Sequence, residues 1–196
     1  MSFPLSRSVA ALAGFVFTGP LQDRAPTSTP PVPPEAYPVY NAVLTHYVEG
    51  DKQAIVSIVR FTNLESTDCL DHIERSRRWK SAVADLRSQN ASPQTIERRF
   101  DLPFRYELAD SLETVGGARL PPPGKSFAEF IAEQIARLED MDKRHYVQVQ
   151  LSAPGISQDG QLAIVYLAIS FAGGFRILRR SGSKWVVQRQ ECGWMS

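Results

Sequence analysis

Leu162-Ala-Ile-Val-Tyr-Leu-Ala-Ile-Ser-Phe171 and the residues that follow it, Ala172-Gly-Gly-Phe-Arg-Ile-Leu-Arg-Arg-Ser-Gly-Ser-Lys-Trp-Val-Val-Gln-Arg-Gln190, decide the fold. The first run is apolar almost throughout, which predicts a central strand covered on both faces. Gly173-Gly174 predicts a tight turn into a strand over Phe175 to Arg180, and Ser181-Gly182-Ser183 a second turn into a strand over Lys184 to Gln190. Just upstream, Val147, Val149 and Leu151 alternate with Gln148 and Gln150, the pattern of a strand with one wet face. These connections are too short for crossovers, so the sheet is expected to be antiparallel.

Working outward, Val39, Tyr40, Val43, Leu44 and Tyr47 share one helical face, with Pro38 tolerable only in a first turn. A helix is expected near 37–49, and the β-branched Ala54 to Phe61 that follows reads as an internal strand. Trp79, Ala82, Val83 and Leu86 line one face of a helix over 72–89, whose Arg75, Arg77, Arg78 and Lys80 form a solvated basic side. Ser92-Pro93 reads as an N-cap and first-turn proline opening a short helix towards Phe100, and Phe104 to Leu108 as a strand. Ser126-Phe-Ala-Glu129 is a capping box, and Phe127, Phe130, Ile131, Ile135 and Leu138 continue it at helical spacing over 126–139. The fold expected is a single α+β domain, residues 35–196, with an antiparallel sheet of four to five strands packed on one face by three to four helices.

Lys plus Arg (22) nearly cancels Asp plus Glu (21), so no net field gathers nucleic acid or an anionic membrane. Val9 to Phe17, after Arg7, has the length of a signal-peptide core and is too short to span a bilayer. Residues 1–19 therefore read as a signal peptide, and residues 20–34 as a proline-rich linker, Pro26-Thr-Ser-Thr-Pro-Pro-Val-Pro-Pro34. Export to the periplasm or medium follows from that reading. Its alternative is a cytoplasmic protein whose first residues pack on the domain as a helix or strand.

The ordered series of short motifs from residue 37 onward resembles a group of uncharacterised, mostly exported bacterial proteins of environmental and gliding bacteria. It comprises Val39-Tyr40-Asn-Ala-Val-Leu44, the strand ending near Thr62, Gln89-Asn90-Ala-Ser92, Leu151-Ser152-Ala-Pro154-Gly155, Ala163-Ile-Val165-Tyr166, Lys184-Trp185-Val-Val187 and Trp194-Met-Ser196. Members of that group often carry paired cysteines in the Gly-rich hairpin where this chain has Phe171-Ala-Gly-Gly-Phe175. The resemblance implies a fold and export, and it carries no chemistry.

No reaction centre stands out. The three histidines, His46, His72 and His145, lack partners at metal-binding spacing, and no Gly-x-Ser-x-Gly elbow is present. Asp68, Cys69, Asp71 and His72 form one local cluster, readable as a metal site, as a cysteine nucleophile with a nearby histidine, or as a helix start. Neither Gly116-Gly117 nor Gly173-Gly174 lies between a strand and a helix as a phosphate loop requires. Cys69 and Cys192, the only two cysteines, allow one internal disulfide if the chain is exported. Trp185 and Trp194 read as core residues capping the sheet. No cofactor is implied. The leading expectation is a small exported binding domain for an unidentified ligand or envelope protein. The alternatives are a hydrolase built around Cys69 or a histidine, and a structural envelope component that pairs through a sheet edge.

Overall fold

The structure, a computed structural model, describes residues 29–49, 51, 53–64, 67, 69–111, 121, 123–143, 145–169 and 172–195. The elements are α1 (Ala36–Tyr47), β1 (Ile55–Val59), α2 (Leu70–Glu74), α3 (Lys80–Gln89), β2 (Arg105–Ala109), α4 (Phe127–Lys143), β3 (Tyr146–Leu151), β4 (Gly155–Ile156), β5 (Leu162–Ile169), β6 (Ala172–Ser181) and β7 (Lys184–Met195). The expected signal peptide, the first part of the linker and Gly116-Gly117 lie outside the described residues.

The class is α+β, but the sheet is mixed and larger than the sequence pattern predicts. Its seven strands run in the order β2-β1-β3-β5-β6-β7, with β4 alongside β5. The half from β3 to β7 is antiparallel as expected, whereas β1 pairs in parallel with both β2 and β3. The physical reason lies in the connections. α2 and α3 stand between β1 and β2, and α4 stands between β2 and β3, so these links are long enough for the crossovers that the C-terminal turns exclude.

Helices cover both faces of the sheet, not one. Ala163, Val165 and Leu167 of β5 join a core built on Val39, Tyr40, Val43 and Leu44 of α1. Leu162, Ile164, Tyr166 and Ala168 join a second core with Leu70 and Ile73 of α2 and Trp79, Val83 and Leu86 at α3. A strand apolar at both parities can only be accommodated between two covering layers, as its sequence predicts.

Three local expectations are also corrected. The single helix over 72–89 is two, α2 and α3, broken at 75–79, and Arg87 bridges them by donating to Asp71 and Glu74 at 2.7 Å each. Ser92-Pro93 opens no helix, because the backbone of 94–96 is used sideways. Thr62 N–H donates to the Gln94 carbonyl, Ile96 N–H to Arg60, and Val32 N–H to Thr95, which seats Val32 in the core at 2 % exposure. Gly173-Gly174 lies within β6 rather than at a turn. The Ser126–Glu129 capping box forms as expected, with Ser126 N–H donating to Glu129 Oε2 at 2.9 Å and Glu129 N–H to Ser126 Oγ at 3.3 Å. The helix it starts keeps Phe127, Ile131 and Ile135 exposed.

Two close approaches fix the frame. A Cβ on Gly155 would lie 2.1 Å from the Ala82 carbonyl oxygen, so only glycine lets α3 sit against β4. In β7, Cys192 has a positive φ of 54° at a bulge where Cys192 and Gly193 together oppose Gly174. Cys192 is joined there to Cys69 by a disulfide, with Cα atoms 6.1 Å apart across 123 residues of sequence. The bulge also brings Trp194 Nε1–H to the Tyr166 hydroxyl at 2.8 Å.

Candidate functional site

The start of α1, the exposed side of α3 and the β6–β7 hairpin converge on Trp185. One cavity of about 720 Å³ runs between them, lined by Glu35, Ser81, Asp85, Gln158, Arg180 and Trp185 among others. A second, of about 800 Å³, lies between α1, the 101–104 segment and the start of β7, and it shares Pro38, Ser183 and Trp185 with the first. Trp185 is half-buried, packed on the α1 core, and the Arg180 guanidinium lies 5.9 Å from its ring centroid. The two-residue turn at Gly182-Ser183, with Gly182 at φ 60°, places both side chains at the hairpin end.

The floor of the first cavity is held rigidly. Asn90 Nδ2 donates to the Ala153 carbonyl at 2.8 Å, and Ala153 N–H donates back to Asn90 Oδ1 at 2.9 Å. Asp85 Oδ2 accepts the Ile156 N–H at 2.8 Å. The carboxylate of Asp85 is thus already engaged from below, and the Ser81, Ser88, Gln89 and Gln158 side chains of the lining offer hydroxyl and amide groups.

The sequence-derived candidates are scattered. Cys69 is in its disulfide with Cys192, which removes the thiolate that a cysteine nucleophile or metal ligand requires. Asp71 is paired with Arg87, and His72 is exposed on α2; Asp68 lies outside the described residues. His46 lines the second cavity, 3.7 Å from Glu49, on open surface at 54 % and 80 % side-chain exposure. His145 Nδ1 meets Asp51 Oδ2 at 2.8 Å, a pairing of residues 94 apart that no local spacing announces. The bond to His145 and the N–H of Gln53 hold the Asp51 carboxyl below its ordinary range. The pair joins the entries of β1 and β3, where Ile55 N–H donates to the His145 carbonyl. Among the described residues no serine, threonine or cysteine side chain bonds to any of the three histidines, and no group of three metal-ligating side chains gathers. The basic run Arg75 to Lys80 is exposed around a Trp79 only 7 % exposed, which makes it the solvated flank of a packed aromatic.

A third cavity, of about 410 Å³, lies beside Tyr47 in the last turn of α1 and is lined by Leu167, Ile169, Arg176, Gln190 and Trp194 among others. Burial pushes the Arg176 guanidinium below its ordinary value and the Tyr47 phenol above its own. Arg176 alternates in β6 with Phe175 and Ile177, which pack in the core of α2 and α3, so it lies on the α1 side of the sheet. No family model, curated protein or solved structure matches the chain.

Proposed function

We propose that the protein is a small exported binding domain without catalytic activity, taking its ligand along the groove on either side of Trp185. The observation that carries this reading is that two cavities, of about 720 and 800 Å³, meet at one half-buried indole, on a frame held by α3 and the β6–β7 hairpin. A flat ring edged by hydroxyl, amide and carboxylate groups is suited to an extended polyhydroxylated chain, an oligosaccharide in chemical class. The disulfide supports an oxidising compartment, in keeping with an exported chain. No helix among the described residues is long and apolar enough to cross a membrane.

The sheet-edge alternative is weakened at both edges. β7 carries two register shifts and the charged Lys184, Arg189 and Glu191, while β2 has five residues with Arg105 and Glu107 on it. The hydrolase alternative retains one favourable observation, His46 beside Glu49 on the rim of the second cavity. Calorimetric titration of the full chain with cellotetraose and chitotetraose, alongside Trp185→Ala, tests the binding reading. Binding that the substitution abolishes is expected. Hydrolysis of either sugar, lost in His46→Ala, would replace it with the enzyme reading.

A further inference from the structure

Among the described residues three buried side-chain atoms lack a hydrogen-bond partner, Ser57 Oγ, Gln94 Oε1 and Arg176 Nη1, and of these only Arg176 carries a charge. It sits in β6 opposite Val165 of β5 and Gln190 of β7. It is half-buried, and its Nη1 is shielded from solvent with no hydrogen-bond acceptor. Among the described residues the third cavity has no acidic residue in its lining, and the carboxylate of β7, Glu191, is engaged by Arg189 at 2.6 Å. Leaving a guanidinium group unpaired away from water is costly, and proteins retain such groups where something else completes them. A stability role would be served better by an apolar side chain of the same length.

The walls say what completes it. Leu167, Ile169 and Trp194 are apolar or aromatic, while Gln190 supplies one amide and Tyr47 one phenol. A Cβ on Gly193 would lie 2.3 Å from Gln190 Nε2, so glycine there is what lets the amide lie across the cavity wall. One cation with one amide balances a monoanion; a phosphate dianion would leave charge uncompensated against apolar walls. The volume of about 410 Å³ is at the small end for a ligand pocket.

We propose that Arg176 anchors the carboxylate of a small organic acid whose apolar body lies against Leu167, Ile169 and Trp194, with Gln190 donating to the same group. The guanidinium edge that lines the cavity pairs with both carboxylate oxygens, and the indole gives the body a flat partner. This site is separate from the Trp185 groove and does not rest on it.

The test is calorimetric titration of the full chain with sodium octanoate and sodium phenylacetate, using 1-octanol and inorganic phosphate as probes of charge and class. Both carboxylates bind, octanol binds at least about tenfold more weakly, and phosphate does not compete, because a bidentate charge-assisted pair is lost or mismatched. Arg176→Met weakens the carboxylates about tenfold or more and unfolds at or above the wild-type temperature, since it removes a half-buried charge that has no acceptor. Arg176→Lys, which keeps the charge and loses the fork, also weakens them. Trp185→Ala leaves them unchanged, so failure here and failure of the groove reading are told apart. Carboxylates that do not bind, phosphate that binds in their place, or an Arg176→Met protein that binds normally or unfolds below wild type would each overturn the proposal.

Discussion

Asn90 grips Ala153 by both ends of its amide, donating to the carbonyl at 2.8 Å and accepting the N–H at 2.9 Å, across 63 residues of sequence. The same Nδ2 also donates to the Leu86 carbonyl at 2.7 Å, so one side chain closes α3 and fixes the turn between β3 and β4. Two short motifs that the sequence sets far apart, Gln89-Asn90-Ala-Ser92 and Leu151-Ser152-Ala-Pro154-Gly155, are therefore one structural joint. Ala153 is 1 % exposed, so its backbone groups have no water to turn to. Asn90→Ala is expected to lower stability by about 2–3 kcal/mol, the cost of stranding buried backbone polar groups. Urea unfolding measures it, and Asn90→Asp, which turns a carboxylate towards the Leu86 and Ala153 carbonyls at the end of α3, should cost at least as much.

Gly155 makes the neighbouring contact. Any side chain there meets the backbone of α3, with a Cβ 2.1 Å from the Ala82 carbonyl oxygen and 2.4 Å from Leu86 N. Neither atom can rotate away, so Gly155→Ala is expected to displace α3 and lower stability by about 1–3 kcal/mol or more. A thermal midpoint unchanged from wild type would show that α3 does not seat as closely on β4.

Reduction of the Cys69–Cys192 bond releases a loop of 123 residues' separation. The expected loss is about 3–4 kcal/mol, read as the difference in unfolding free energy with and without reductant. Intact mass of the oxidised protein after alkylation should show neither thiol modified; two free thiols in exported material would remove the bond from the account.

The acid limb of stability should report Asp51. Its carboxyl is held below the ordinary range first by the hydrogen bond to His145, so the native state favours its ionised form more than the unfolded chain does. That contribution is fully present above the ordinary carboxylate range, about pH 4, and is lost as pH falls through the lowered native value. Asp159, bonded to Ser157 Oγ, and Glu129, bonded to Ser126, have the same sign. Asp51→Asn should flatten part of the fall in urea midpoint below about pH 4.

How much of this was legible follows from where the signals lie. The β5 run, apolar at both parities, announced a doubly covered strand, and the capping box at Ser126 announced α4. The parallel half of the sheet is not legible, because β1 and β2 are short and their pairing depends on the crossovers through α2, α3 and α4, which lie outside either strand's own pattern. The break between α2 and α3 was hidden for a related reason: periodicity shows a buried face and not the turn at 75–79 that lets Leu70 and Trp79 reach the same core. Cys69 and Cys192 could be paired by elimination. Trp185 was read as core, and the structure makes it a cavity wall as well. Arg176, His145 and Asp51 derive their surroundings entirely from strand register, which sequence spacing does not carry.

The most direct test of the central claim is chemical-shift mapping of the ¹⁵N-labelled full chain titrated with cellotetraose and chitotetraose. The account predicts saturable shifts that gather at Ser81, Gln158, Arg180 and the Trp185 indole, on both sides of that ring, with Trp79 unmoved. Shifts absent for both sugars, or gathered away from Trp185, would contradict it.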